Sequence, residues 1–177
     1  MPSAHLHLLP TGLALLLLLG AVPTCLGGCR PTPRVERGKP KIVRQIRSAG
    51  MEYTARELRE QARAGELENV RLFLEAGMDP DIRRHWRASR ALHETCREGH
   101  ARVAALLLRH GANIDARDPL ASRTPLMSAA ERGHREVVRV LLEHGADPAL
   151  RDERGQTARD LARRHGHEEV VALLDSR

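Results

Sequence analysis

Apolar and polar residues alternate with a helical period through the C-terminal two-thirds of the chain. In the clearest unit Thr124 precedes Pro125, and a Thr cap followed by Pro at the first helical position is a typical helix start. Gly133 closes this first helix. Residues 135–144 then carry apolar side chains spaced along one helical face, and Gly145 follows where the chain turns past a helix end. The pattern predicts a helical hairpin.

The same unit recurs along the chain. Glycines that close first helices are 34, 34 and 33 residues apart, and those that close second helices are 34 and 34 residues apart. A period near 33 with two helices per unit predicts a stacked array, in which each repeat contacts its neighbours. The glycines are Gly65, Gly99, Gly133 and Gly166 for first helices, and Gly77, Gly111 and Gly145 for second helices.

The motifs of this unit resemble ankyrin repeats from residue 52 to residue 177. The family's T-P-L-H element is matched by Thr124, Pro125 and Leu126, and the second repeat keeps the histidine as His93. The resemblance implies an all-α ankyrin-repeat solenoid of four helix-turn-helix repeats with short β-hairpin fingers. It also implies a structural role for His93, whose ring ties neighbouring turns by hydrogen bonds. The repeats are expected at about 53–82, 90–116, 124–150 and 157–177, the first being a degenerate N-terminal cap.

Residues 1–28 have the pattern of a signal peptide. They contain no Asp, Glu, Lys or Arg, and residues 13–22 form an apolar run that is too short to span a bilayer. The sequence Leu26-Gly27-Gly28-Cys29 looks like the bacterial lipobox, which implies that Cys29 is lipidated. We therefore expect a lipoprotein of the bacterial cell envelope, facing the periplasm or the exterior. The alternatives are a secreted protein cleaved near Gly27 or Gly28, and a cytosolic protein with a mis-assigned start.

Positive charge is concentrated between the signal segment and the array. Residues 30–50 hold seven basic residues and Glu36, a net charge of +6, whereas residues 51–177 hold 22 basic and 22 acidic residues. Residues 29–51 are interpreted as a basic, Pro-containing tether that assists membrane attachment, or as a solvated spacer. Residues 41–49 alternatively form a short helix whose Ile42, Val43 and Ile46 cover the open end of the array. Because the array itself is balanced, no nucleic-acid partner is expected.

Motifs for catalysis or for a cofactor are missing from the sequence. It has no Gly-rich phosphate loop, no G-x-S-x-G and no H-E-x-x-H. The chain has ten histidines; those of the repeats are accounted for by their repeat positions, and no cluster with ligand spacing joins them. Cys96 matches the small residue Ala130 of the next repeat and is expected to be buried. We therefore expect a non-enzymatic array, monomeric and without cofactor or metal.

A partner-binding surface is expected on the fingers and the first helices, where ankyrin-like arrays usually bind proteins. The fingers span residues 81–89, 115–123 and 147–156. The first two depart from the family pattern, since each is one residue longer than the family's finger and lacks the glycine before the Thr-Pro position. Trp86 lies among arginines, a combination that is typical of interfaces, or it folds back onto the stack. An adaptor, inhibitor or immunity-type factor is expected, or a secreted effector that binds a foreign protein. The candidate residues are Arg83, Arg84, Trp86 and Arg87 in the first finger, Arg117, Leu120 and Arg123 in the second, Arg151 and Arg154 in the third, and Glu94, Arg97, Ser128, Glu131 and Arg132 on first helices.

Overall fold

The computed structural model of the protein describes residues 39–83 and 89–176. Within these ranges the chain forms nine α-helices and no strand, so the predicted all-α repeat fold is confirmed. None of the helices in these ranges has the length and apolarity that crossing a membrane requires. The helices are α1 (Pro40–Ser48), α2 (Ala55–Ala64), α3 (Leu67–Glu75), α4 (Ala91–Glu98), α5 (Ala101–Arg109), α6 (Pro125–Glu131), α7 (Arg135–Glu143), α8 (Ala158–Arg164) and α9 (Glu168–Asp175).

Two layers of helices make up the array. The first helices α2, α4, α6 and α8 stack on one another in chain order, and the second helices α3, α5, α7 and α9 form the layer beside them. The core between the layers consists of aliphatic side chains of moderate size, such as Leu92, Leu107 and Leu141, each fully buried. Small residues, among them Ala129 and Cys96 at 0% exposure, allow first helices to lie close together.

The predicted helix start at Thr124 and Pro125 is present at α6. The Thr124 hydroxyl accepts a hydrogen bond from the Met127 amide at 3.3 Å, which satisfies an amide that has no partner within the helix. The last repeat uses the same device, since the Thr157 hydroxyl accepts from the Asp160 amide at 3.2 Å. The Asp160 carboxylate in turn accepts from the Thr157 amide at 2.9 Å. The Thr residues therefore define where these first helices begin.

The first repeat departs from the register that its closing glycine indicates. Counting back from Gly65 places the T-P-L-H position at residues 56–59, but α2 begins two residues earlier, after Thr54. The Thr54 hydroxyl accepts from the Glu57 amide at 3.2 Å, so the better capping residue sets the helix start.

Neighbouring repeats are joined by histidines that follow the closing glycines. The rings of His100 and His134 donate from Nε2 to the carbonyl oxygens of Arg63 and Arg97, each at 2.9 Å. His167 donates in the same way to the Glu131 carbonyl at 3.1 Å. Because a carbonyl only accepts, the proton of each neutral ring lies on Nε2. Every acceptor is close to the C-terminal end of the preceding repeat's first helix, where helical carbonyls have no internal partner.

Each of these rings also lies over a glycine of the preceding repeat. A Cβ atom added to Gly65, Gly99 or Gly133 would be 2.6, 2.8 or 2.5 Å from the Nδ1 atom of the corresponding histidine. The same three glycines have a positive φ of 75° to 89°. Glycine is therefore required there for its backbone conformation and for the close approach of the next repeat.

The segment interpreted as a tether is folded from residue 40 onward, which corrects that interpretation for α1. Ile46 is 0% exposed, and Ile42 and Val43 pack against the core from the same helix. The Lys39 amide donates to the Ala76 carbonyl at 2.9 Å, which fixes the start of α1 to the end of α3. α1 thus covers α3 with its apolar face, as the alternative helical interpretation expects.

Candidate protein-binding surface

The second finger is organised by one buried aspartate. Asp118 is 8% exposed, and its Oδ1 atom accepts from the amides of Leu120 at 3.2 Å, Ala121 at 2.7 Å and Arg123 at 3.4 Å. The Asp118 amide also donates to the Arg123 carbonyl at 2.9 Å, which closes a hairpin-like turn without strand structure. This network fixes the backbone of the finger tip.

The third finger repeats this arrangement. Asp152 is 7% exposed, its Oδ1 atom accepts from the amides of Arg154 and Gln156 at 2.9 Å each, and its own amide donates to the Gln156 carbonyl at 3.0 Å. Neither aspartate was predicted from the sequence as a finger-organising residue. Their signal was an Asp five or six residues before the capping Thr, since Asp at the start of a turn commonly accepts from amides further along.

The extra residue of the second finger is accommodated by a left-handed serine. Ser122 has φ of 54°, the only positive φ outside glycine in the described residues, and it lies two residues before Thr124. Gly155, with φ of 73°, lies two residues before Thr157 in the third finger. Because the second finger has no glycine at this position, Ser122 must adopt the left-handed backbone conformation, which is strained for a residue with a side chain.

Leu120 is displayed at the tip of the second finger. It is 73% exposed, and it is the only exposed large apolar side chain among the described residues. The Leu120 amide donates a hydrogen bond to the Asp118 carboxylate, so this exposed side chain lies on a turn of fixed conformation. Of the predicted site residues, Leu120 is the clearest candidate for contact with a partner.

Arg117 and Arg151 are predicted partner contacts, but their guanidinium groups are engaged within the array. That of Arg117 joins the second finger to the third, and that of Arg151 binds within the third finger. Arg117 Nη1 donates to the carbonyls of Ser122 at 2.9 Å and Arg151 at 2.7 Å. Arg151 Nη1 donates to the Gly155 carbonyl at 2.6 Å. Both residues are exposed, and their guanidinium groups order the backbone of the finger tips.

Arg123 and Glu131 are paired with each other. Arg123 Nη1 lies 2.6 Å from Glu131 Oε2, and Arg123 Nε lies 3.7 Å from Asp152 Oδ2. The side chains of Arg123 and Glu131 are 20% and 24% exposed. This half-buried cluster joins the second finger, α6 and the third finger, so these two candidates act mainly as structural links.

The remaining first-helix candidates differ in accessibility. Glu94 and Arg97 form an ion pair of 3.2 Å along α4 and are half-buried. Ser128 is only 4% exposed, and its hydroxyl donates to the Thr124 carbonyl at 3.3 Å. Contrary to the prediction, this side chain is therefore not accessible to a partner. Arg132, at the end of α6, is exposed.

The first finger is described only at its edges. Arg83 is exposed at its beginning, whereas Arg84, Trp86 and Arg87 lie outside the described residues. In the third finger Arg154 is exposed. The accessible candidates among the described residues are therefore Arg83, Leu120, Arg132 and Arg154, with Arg117 and Arg151 exposed but engaged. The surface formed by these finger residues and the ends of the first helices is called the finger surface below.

Two buried titratable groups, His93 and Cys96, belong to the core of the array. No group of three or more His, Cys, Asp or Glu side chains in this part of the chain has the arrangement of a metal site. His93 is 0% exposed, and its Nε2 donates to the Arg123 carbonyl at 3.1 Å, so the ring connects the second repeat to the second finger. Burial lowers the pKa of His93, partly opposed by the carbonyls of Arg123 and Ala116 and by the charge of Asp118. Burial likewise raises the pKa of the Cys96 thiol, which keeps it protonated.

The geometry agrees with a comparison against protein families. The family model for ankyrin repeats (3 copies) matches residues 58–152 and again residues 92–176. The two matches together cover more than half of the chain, and the chain belongs to the ankyrin-repeat family. Ankyrin repeats are protein–protein interaction modules and are generally non-catalytic, which is the class of protein that the motifs predict. A search of curated proteins finds no match to this chain.

The strain at Ser122 gives a stability prediction. Replacing Ser122 by Gly should raise the free energy of unfolding by about 0.5–1 kcal/mol, because Gly adopts the left-handed conformation at little steric cost. Ser89→Gly is the matched control at a serine without positive φ, and it should lower stability. Denaturant unfolding measures both, and a loss of stability in Ser122→Gly equal to that of the control would contradict the assignment.

Burial of His93 gives a pH prediction. Its pKa is lowered in the folded chain, whereas an unfolded histidine titrates near 6.5. Below about pH 6.5 the unfolded chain therefore binds a proton that the folded chain does not, and stability falls as pH falls, by at most about 1.4 kcal/mol per pH unit. His93→Met, which copies Met127 of the next repeat, should flatten the dependence of unfolding free energy on pH between 7 and 5. His110→Gln, at an exposed histidine, is the control, and an unchanged slope in His93→Met would refute the role of His93.

Proposed function

We propose that this ankyrin array is a non-catalytic adaptor, inhibitor or immunity-type factor that is held in the bacterial cell envelope and binds another protein through its finger surface. The observation that carries the proposal is Leu120, an apolar side chain displayed on a finger whose backbone is fixed by Asp118. A fixed tip loses little conformational entropy when a partner covers it. Burying a leucine side chain contributes about 1.5–3 kcal/mol, enough to matter in an interface.

Exposed charged side chains on the third finger and on α6 would add polar contacts to those of the apolar tip. Arg154 on the neighbouring finger and Arg132 at the end of α6 are exposed, and neither takes part in an ion pair among the described residues. Charged groups at the rim of an interface favour association rate and specificity more than affinity. The arginines are therefore assigned to selecting the partner, and Leu120 to holding it.

Sequence features alone support the envelope location. The segment Leu26-Gly27-Gly28-Cys29 follows an apolar run, and it lies outside the described residues. In this proposal Cys29 carries a lipid that holds the mature chain at a membrane surface facing the periplasm or the exterior. The alternative function is a secreted soluble effector, released after cleavage near Gly27 or Gly28, that binds a foreign protein.

Cell fractionation separates these two locations. Cys29→Ser removes the acceptor thiol and should move the protein from the membrane fraction to the soluble fraction or the medium. Cys25→Ser is the control, because Cys25 would leave with the signal segment and should not affect the distribution. Finding the unchanged chain in the medium, without lipid on Cys29 by mass spectrometry, would favour the secreted effector.

Cross-linking in the native host tests the finger surface. Leu120→Asp places a charge where an apolar contact is proposed, and the yield of the cross-linked partner should fall at least tenfold, the effect of about 1.4 kcal/mol. Ala172→Asp, at an exposed position of α9 in the other helix layer, should leave the yield unchanged. A second variant, Trp86→Ala/Arg84→Ala, examines the first finger. Equal capture by the unchanged chain and Leu120→Asp would exclude the second finger as the binding site.

A further inference from the structure

The outer face of α1 is strongly basic, unlike the rest of the folded array. Lys39, Lys41, Arg44 and Arg47 are all exposed, and residues 39–51 contain no Asp or Glu. The ion pairs found among the described residues involve none of these four side chains. Elsewhere in the array basic residues are commonly paired, as Arg139 is with both Glu136 and Glu143. The four charges on α1 therefore form an unneutralised patch.

The fold presents this patch as one surface. Ile46 is fully buried, and Ile42 and Val43 pack on the core, so the opposite face of the helix is directed outward. With a rise of 1.5 Å per residue, Lys41 and Arg47 are about 9 Å apart along the helix axis. This is within the screening distance of about 10 Å at 0.1 M salt, so the charges act together on a single anionic surface.

Both ends of α1 are fixed to the array. The Lys39 amide donates to the Ala76 carbonyl at 2.9 Å, and Met51, which follows the helix, is buried in the core of the array at 9% exposure. Gly50, with φ of 76°, turns the chain sharply after the helix. The basic patch consequently has a fixed orientation relative to the repeats, which a flexible tether would not give.

We propose that the basic face of α1 docks the N-terminal end of the array on an anionic lipid surface. The proposal rests on the proposed envelope location for access to such a surface: ten residues separate Cys29 from Pro40, and they span at most about 35 Å. Arg30, Arg34 and Arg37 continue the same charge toward Cys29. Basic residues near an anionic bilayer are each attracted to it, and four held on one face act jointly. The lipid would then attach the chain, and α1 would set how the array stands on the membrane.

The chain has only two lysines, Lys39 and Lys41, and both belong to the patch. Acetylation of lysine amines therefore reports directly on whether the α1 face is covered. We would label the purified full chain in the presence of vesicles of phosphatidylcholine, with or without phosphatidylglycerol, and quantify the two lysines by peptide mass spectrometry. Labelling should slow by about tenfold or more on the anionic vesicles and recover in 1 M salt, where screening extends over only about 3 Å.

A matched control separates docking from a general effect of anionic lipid on amine reactivity. Arg164→Lys introduces a lysine at the exposed end of α8, in the last repeat. That introduced lysine should be labelled at the same rate on both kinds of vesicle, whereas Lys39 and Lys41 of the same molecule are protected. Equal protection of all three lysines, or of none, would overturn the proposal.

Two further variants distinguish α1 from the preceding basic residues. Arg44→Gln/Arg47→Gln keeps good helix formers on α1 and should abolish the protection, whereas Arg163→Gln/Arg164→Gln removes the same charge from α8 and should preserve it. Protection that survives in the α1 variant would assign it to residues 30–37 and overturn the role of α1. The vesicle experiment does not require lipid on Cys29, so its result is independent of the fractionation of Cys29→Ser. If Lys39 and Lys41 are protected on anionic vesicles but the chain is absent from the membrane fraction of cells, the envelope location is rejected and the role of the α1 surface is upheld.

Discussion

The stacking of this array depends on a contact between each repeat and the one before it, in which a histidine ring lies on a glycine and donates to a nearby carbonyl. His100, His134 and His167 make this contact with nearly constant geometry, the hydrogen bonds being 2.9 to 3.1 Å long. The contact satisfies a carbonyl at the end of a first helix and brings the next repeat close to its backbone. A side chain on the glycine would obstruct both effects, so the repeat period depends on these positions.

The period, the helix pairs and the small packing residues were predictable because they follow from local rules repeated at constant spacing. Thr124 followed by Pro125, and the closing glycines, mark helix ends with side chains whose effects act within one turn. The role of each finger arginine was not predictable. Arg117, Arg123 and Arg151 have the composition of an interface, but groups of the array itself engage them. Arg117 donates to the Arg151 carbonyl and Arg123 lies near Asp152, both on the next finger and remote in sequence, while Arg151 donates to Gly155 within its own finger. Composition alone does not distinguish such structural arginines from ones that bind a partner.

The functional account assigns separate tasks to the two ends of the sequence. The uncharged N-terminal segment, Cys29 and the basic residues after it are proposed to locate the protein, while the repeats bind. α1 connects these tasks, because its apolar face belongs to the array and its basic face is proposed to meet the membrane. The finger surface is stiffened by Asp118 and Asp152, so that its exposed residues are presented with little freedom. Rigid presentation suits a module whose activity is to bind.

The most direct test of the stacking contact compares two glycines at the same repeat position. Gly133 and Gly166 both have φ of 75°, but a Cβ at Gly133 would be 2.5 Å from His167 Nδ1, whereas one at Gly166 would meet nothing within 4 Å. Both Gly→Ala variants should lose about 1–2 kcal/mol from the left-handed backbone. Denaturant unfolding should show a clearly larger loss for Gly133→Ala, together with faster hydrogen exchange in α8 and α9. Equal losses in the two variants would contradict the account.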